Sequence, residues 1–94
     1  MVDPRIVKYA KLLTDYSIKI KKGDIIEISA GYDAKPLVLE LCKNILKKGA
    51  APRVNIGLPG LGYTFYKYAP DNVLKQYPRV AEFVEKNITG SISI

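Results

Sequence analysis

The side chains that most often carry catalysis and metal binding are scarce in this sequence. It contains no histidine, so a His-based catalytic triad, a His proton shuttle and a His-ligated metal site are all excluded. Carboxylates alone would have to bind a metal ion. The candidates lie near turns, helix caps or outward helix faces without forming an obvious acid/base pair, and they are Asp15, Asp24, Glu27, Asp33, Glu40, Asp71, Glu82 and Glu85. We therefore expect no catalytic residue, metal ligand or cofactor in this segment.

The single cysteine, Cys42, lies on the apolar face of a predicted helix. A buried, protonated thiol is the ordinary state there, and we favour it over a catalytic thiolate. One cysteine forms no internal disulfide, which agrees with a reducing compartment. No apolar run approaches the roughly 18 residues of a membrane span, and the N-terminus lacks the apolar core of a signal peptide. We expect a cytoplasmic protein with no membrane partner.

A glycine-rich loop follows the second predicted strand, with the sequence Gly57-Leu58-Pro59-Gly60-Leu61-Gly62. Its glycines have the order G-x-x-G-x-G, which differs from the dinucleotide-binding fingerprint, and no Walker ending follows. We interpret it as a plain Gly-Pro loop.

Four aromatic side chains fall within the next six residues, at Tyr63, Phe65, Tyr66 and Tyr68. Aromatic rings interleaved with Lys67 have the chemistry to stack on single-stranded bases. The alternative, which we favour, is a short helix or turn whose rings cover the sheet edge or face another domain or a second subunit.

A third candidate is the loop that contains Gly31, Tyr32 and Asp33, at the carboxyl end of the first predicted strand. Open α/β sheets commonly bind ligands at such ends. Asp33, however, is placed to cap the next helix and would repel an anion there. We favour a capping loop over a ligand-facing one.

The elements that would position these residues centre on a strand, helix and strand between residues 25 and 57. Residues 25–30 and 53–57 have strand patterns, and a crossover of this length joins parallel strands. The helix at 35–48 has an apolar face and an opposite polar face. The apolar face consists of Val38, Leu41, Cys42 and Ile45, and the polar face of Glu40, Lys43, Asn44, Lys47 and Lys48.

The remaining elements complete a single α/β domain over residues 1–94. A first helix at about 3–16 begins with Asp3 as its cap and Pro4 at its first position. Further helices are predicted at about 62–68, 71–76 and 78–87, with Pro78 beginning the last. Residues 91–94 alternate like a third parallel strand. The predicted fold is a small three-layer open sheet of about three parallel strands with helices against it.

The last predicted strand stops on Ile94 with no turn or polar tail after it. We interpret the 94 residues as one piece of a longer protein. The alternative is a native edge strand that closes the chain.

Fifteen Lys and Arg residues against nine Asp and Glu residues give a net charge of +6, which is compatible with binding a polyanion. A solvated surface is the favoured interpretation, because many lysines lie on polar helix faces, namely Lys8, Lys11, Lys43, Lys47 and Lys48. A basic module that binds nucleic acid and a scaffold domain without a ligand remain alternatives.

The abundance of Lys and Ile in the sequence is typical of thermophiles.

Several short motifs in a fixed order resemble the opening of the thermophilic metallo-aminopeptidases of the aminopeptidase T and aminopeptidase S type. They are Asp3-Pro4-Arg5-Ile6, Ala10-Lys11-Leu12-Leu13, Tyr16-Ser17, Lys21-Lys22-Gly23-Asp24, Pro36-Leu37-Val38, and Lys48-Gly49-Ala50 before Pro52. The resemblance spans essentially the whole chain.

This resemblance implies a cytoplasmic, homodimeric exopeptidase that removes N-terminal amino acids with two divalent metal ions, zinc or cobalt. The family's Glu, His and Asp ligands lie in a later domain, and none maps onto this sequence. The chain resembles the non-catalytic N-terminal domain, whose partners would be the catalytic domain of the same chain, a second subunit and, through the catalytic domain, peptide substrates. We expect the piece itself to be inactive.

Overall fold

Three parallel strands form one open sheet in the computed structural model, which describes residues 3–94 and only the backbone of Tyr77. The strands are β1 (Ile25–Gly31), β2 (Ala51–Gly57) and β3 (Gly90–Ser93), in the spatial order β2-β1-β3. Ile28 pairs with Val54 on one side and with Ile92 on the other. The predicted α/β class with three parallel strands is confirmed, although β2 begins at Ala51 rather than at residue 53.

The core lies on one face of this sheet. Alternate residues of β1 are buried, and Ile26 and Ile28 are almost inaccessible. Helix α2 (Lys35–Lys47) packs on that face with Leu41 and Ile45, as its apolar spacing predicts. It ends before Gly49, whose φ of +80° is the left-handed conformation expected after a helix. A layer on the opposite face stays a prediction.

Helix α1 (Pro4–Leu12) continues into one π-helical turn, Leu13–Ser17, and packs chiefly against α2. Ala10 and Thr14 of this segment are buried. The predicted cap is confirmed, because the Asp3 carboxylate accepts a hydrogen bond of 2.9 Å from the Arg5 backbone N–H. The Arg5 guanidinium also donates to Asp3 at 3.0 Å.

The contribution of the Asp3 cap to the stability of the fold depends on pH and should be lost at low pH. The hydrogen bonds from the Arg5 side chain, and then from its backbone, lower the pKa of Asp3 from 3.8. A lowered folded-state pKa stabilises the fold above the unfolded pKa, and this contribution is lost as the pH falls through the folded pKa. Wild type should therefore lose its advantage over Asp3→Asn in urea unfolding as the pH decreases from 5 to 2.

Asparagine is the matched control, because it keeps a capping oxygen but carries no charge. All other carboxylates are present in both proteins, so the difference in stability between the two proteins isolates Asp3. A difference that stays constant across this pH range would contradict the assignment.

The chain divides into two compact units, the first formed by residues up to Gly57 with Ile88–Ile94, and the second by Leu58–Asn87. The second unit contains α3 (Leu61–Tyr68) and α4 (Asp71–Asn87). None of its described side chains is buried, and only Ala69, Val73 and Val84 are half-buried. The single α/β domain over residues 1–94 stays a prediction.

The predicted break at Pro78 is wrong, because residues 71–76 and 78–87 belong to one continuous helix, α4. Proline removes one N–H and crowds the carbonyl four residues earlier, but its φ near −65° is itself helical. Such a residue bends a helix more readily than it ends it when the flanking turns favour the helix. Strong helix formers supply that preference, with Leu74, Lys75 and Gln76 before Pro78 and Arg79, Ala81 and Glu82 after it.

Candidate functional site

Most of the candidate carboxylates already form an ion pair or accept a hydrogen bond within the chain. Within residues 3–94, no three side chains of His, Cys, Asp or Glu come together as a possible metal site. The ion pairs, given by their nitrogen–oxygen distances, are Lys48–Asp15 at 2.9 Å, Arg53–Glu27 at 3.4 Å, Lys43–Glu40 at 2.9 Å and Lys86–Glu82 at 3.2 Å. Asp24 accepts from the Lys21 backbone N–H at 2.8 Å. The contacts of Asp24, Glu40 and Glu82 stay within one turn or helix, whereas the ion pairs of Asp15 and Glu27 join segments that are distant in the sequence.

Glu40 departs from the predicted outward position, since it is only 7% exposed. The prediction was wrong because α1 packs along this side of α2 and covers it. Glu40 Oε2 lies 2.9 Å from Lys43 Nζ but makes no hydrogen bond of acceptable geometry. We interpret the contact as a charge pair, because Coulomb attraction depends on distance whereas a hydrogen bond also depends on direction.

A groove of about 420 Å³ between α1 and α2 brings together four of the basic residues that sequence analysis assigned to solvated faces. They are Lys11, Lys43, Lys47 and Lys48, and the groove also contains Asp15 and Glu40. Two of these lysines are paired with the two carboxylates. The local excess of positive charge is therefore small. This favours a structural role for the charged residues of the groove over the binding of a polyanion.

The loop at Gly31, Tyr32 and Asp33 does not cap α2 in the way that was predicted. Ala34 is the cap residue of α2 and no side chain caps this helix, so the predicted Asp33 cap is wrong. The reason is a 3₁₀ turn, Tyr32–Ala34, that precedes α2 and includes Asp33. A Cβ on Gly31 would lie 2.7 Å from Asp33 Oδ1, so the carboxylate lies close over the glycine. A ligand-facing role for this loop stays a prediction.

Cys42 is half-buried on α2, less buried than its apolar spacing predicts. Burial raises the pKa of its thiol, because a thiolate loses solvation there. The protonated state expected from the sequence agrees with this direction.

Alkylation provides a measurement of that state. Iodoacetamide should modify Cys42 more slowly in the folded chain at pH 8 than in the same chain unfolded in urea, because the thiolate is the reactive form. Because the pKa of Cys42 is raised in the folded state, its contribution to stability is fully present below the unfolded pKa. This contribution is lost as the pH rises from the unfolded pKa through the folded pKa. Equal rates in the folded and unfolded chains would contradict the burial of this thiol.

The predicted aromatic cluster lies on α3, where its three tyrosines are exposed and Tyr66 is 90% exposed. Phe65 is 38% exposed. Lys67 Nζ lies 5.9 Å from the ring centroid of Tyr63 and 5.4 Å from that of Tyr68, within the range of cation–π attraction. The interface role of these rings stays a prediction.

A second groove, which was not predicted from the sequence, lies between α2 and the edge strand β2, with Leu39, Val54 and Ile56 in its lining. Two signals were present in the sequence. Pro52 directly precedes the predicted strand at 53–57, and proline in sheets is confined largely to edge strands and strand starts. Val54 and Ile56 alternate with the polar residues Arg53 and Asn55. Together they indicate an edge strand with one apolar face.

None of the helices in the part of the chain that the structure describes is long and apolar enough to cross a membrane.

Comparison with known proteins agrees with the order of motifs along the chain. No protein with a curated description matches this sequence. The family model described as thermophilic metalloprotease (M29) matches residues 2–94. Because this match covers nearly the entire sequence, the chain belongs to the thermophilic metalloprotease family M29.

Proposed function

We propose that this chain is the non-catalytic N-terminal α/β domain of a cytoplasmic, metal-dependent aminopeptidase, an enzyme that hydrolyses N-terminal residues from peptides. The observation that carries the proposal is the family match over residues 2–94 of a sequence that contains no histidine. The paired carboxylates support it, because each already has a basic partner within this chain.

Metallopeptidases of this kind would use two divalent ions, zinc or cobalt, held by nitrogen and oxygen ligands. The residues described here do not fit such a centre, since no three potential ligands converge among them. Cys42 is the single thiol, and burial raises its pKa, which opposes the thiolate that a metal requires. We propose that the metal ligands lie in another domain of the parent enzyme.

The role that we propose for this domain is support. The exposed rings of α3 would pack against the catalytic domain of the same chain or contribute to a homodimer. An exposed aromatic surface of this kind is typical of an interface. The contacts of Lys67 favour this role over base stacking, because its ammonium already lies over Tyr63 and Tyr68.

The test is an activity and metal-binding measurement on the 94-residue chain. Purified protein is incubated with zinc or cobalt and an aminoacyl chromogenic substrate, with and without chelator, and bound zinc is measured by equilibrium dialysis. We expect no chelator-sensitive turnover and far less than one zinc ion per chain. Turnover that disappears with chelator, or stoichiometric zinc binding, would overturn the proposal.

A further inference from the structure

The outer edge of β2 presents backbone groups that no strand satisfies. Ala51 N–H donates to Asp24 O at 2.8 Å, so the backbone of Ala51 points toward β1. Successive residues of a strand direct their N–H and C=O groups to opposite sides, so those of Val54 and Ile56 point outward. Since β2 is at the edge of the sheet, these groups have no strand partner among residues 3–94.

The same edge is bordered by an apolar groove of about 310 Å³ on the α2 side. Val54 and Ile56 form its floor along β2 and remain 44% and 40% exposed. Leu39 and Cys42 line it from α2. Exposed apolar side chains are thus adjacent to exposed backbone hydrogen-bonding groups, which is the combination that recognises a peptide by strand addition.

We propose that the β2 edge and this groove bind an extended polypeptide segment as a fourth strand. Two of its apolar side chains, two residues apart, enter the groove beside Val54 and Ile56. An extended backbone is the partner that satisfies a strand edge, because its N–H and C=O groups repeat with the same spacing. The proposal goes beyond the proposed function and depends on the geometry of the first unit alone.

Charge specifies the occupant further. Lys35 is the charged residue in the groove lining, and none of the ion pairs within the described residues includes it. Lys35 lies near the carboxyl end of β2, and Tyr32 lines the same groove. The segment should therefore carry a carboxylate beyond its two apolar side chains.

Features that protect strand edges are confined to the first half of β2. Pro52 has no N–H to offer and Arg53 adds a charge, and both discourage pairing at the start of the strand. The second half, from Val54 to Gly57, contains neither a proline nor a charged residue. The available edge is about four residues long, which matches a short peptide.

The experiment uses the 94-residue chain and two blocked hexapeptides, acetyl-Thr-Leu-Thr-Leu-Thr-Asp-amide and acetyl-Asp-Thr-Leu-Thr-Leu-Thr-amide, followed through the amide NMR signals of Val54 and Ile56. The first peptide places its carboxylate near Lys35 if it adds as a parallel strand, and the second if it adds as an antiparallel strand. We expect saturable shifts below about 1 mM peptide. A second pair of peptides carries N-methyl groups on both leucines or on the threonines. Methylation on leucine removes the hydrogen bonds of an antiparallel added strand, and methylation on threonine removes those of a parallel one.

At least one methylated peptide should bind about tenfold more weakly, as expected from the loss of one or two net hydrogen bonds. Unchanged binding of both would overturn the proposal, as would the absence of any saturable shift. Bound peptide should also slow the alkylation of Cys42, which lines the groove.

Two variants of the protein separate the edge from the groove. Val54→Pro removes an outward N–H in the way that Pro52 already does, and should weaken binding about tenfold. Leu39→Ser should weaken it about threefold or more by removing apolar contact, whereas Leu46→Ser, an exposed leucine of the same helix outside the groove, should not. If Val54→Pro does not fold, the two leucine variants and the methylated peptides show whether the peptide binds at the β2 edge and the groove.

A second copy of the chain is the alternative occupant. Sedimentation velocity without peptide, combined with hydrogen exchange, reveals it. A dimer in which the Val54 and Ile56 amides are already protected would overturn the proposal of a separate polypeptide partner. Rapid exchange of these amides, with protection only when the hexapeptide is added, would support it.

Discussion

Replacing Leu41 with alanine is expected to lower the free energy of unfolding by about 2–5 kcal/mol. Leu41 is completely buried at the contact of α2 with the sheet. The substitution removes apolar contact and leaves a cavity that the surrounding side chains of Ile28 and Ile45 fill only in part. Domains of this size are marginally stable, with about 5–15 kcal/mol in total, so much of the stability should be lost. Urea unfolding followed by circular dichroism measures the change.

Leu39→Ala is the matched control, since Leu39 is two residues away on the same helix and 58% exposed. Both substitutions change helix propensity equally, so the difference between them reports burial. The control should change stability by less than about 0.5 kcal/mol. Equal effects of the two substitutions would mean that α2 does not pack on the sheet through the Leu41 face.

Tyr66→Ser is expected to weaken self-association of the chain by about thirtyfold, or about 2 kcal/mol. An aromatic side chain that is 90% exposed contributes little to the fold of the chain that carries it. In an interface, the same ring buries a large apolar area and is a frequent hot spot. If α3 normally faces another domain, the isolated chain should associate through it at high concentration, and the variant should remain closer to monomeric in sedimentation velocity.

Tyr16→Ser is the control, because Tyr16 is 80% exposed and lies in the first unit, outside the aromatic cluster. It should leave the association constant unchanged. Wild-type protein that stays strictly monomeric at millimolar concentration would count against an interface on α3. Thermal unfolding of both variants shows whether either has altered stability.

The fold was predictable from the sequence wherever side-chain spacing and caps agreed. The apolar face of α2, the Gly49 termination and the Asp3 cap are all local signals, and each is confirmed. The strand order β2-β1-β3 depends on long-range pairing, to which no short motif corresponds. The continuous helix through Pro78 shows that a single residue's preference is outweighed by the turns on either side of it.

The candidate site residues were harder to predict, because their environment depends on which helices pack together. Glu40 occupies a polar position in the pattern of α2, but the neighbouring α1 buries it. Spacing within one helix contains no information about the helix beside it. The α3 aromatics form a cluster that is visible in the sequence itself, and their role as an interface stays a prediction. The groove beside β2, in contrast, arises only when α2 packs against the sheet.

The position of β3 beside β1 has a consequence for synthesis of this protein. Thr89 Oγ1 accepts from the Ile25 N–H at 3.0 Å, which joins residues 64 positions apart. At about 5–20 residues per second, a ribosome needs roughly 3–12 s to go from the end of β1 to the start of β3. During that interval the nascent central strand has one open edge that another chain can pair with. A chaperone that covers emerging strands should therefore matter most between the emergence of β1 and that of β3.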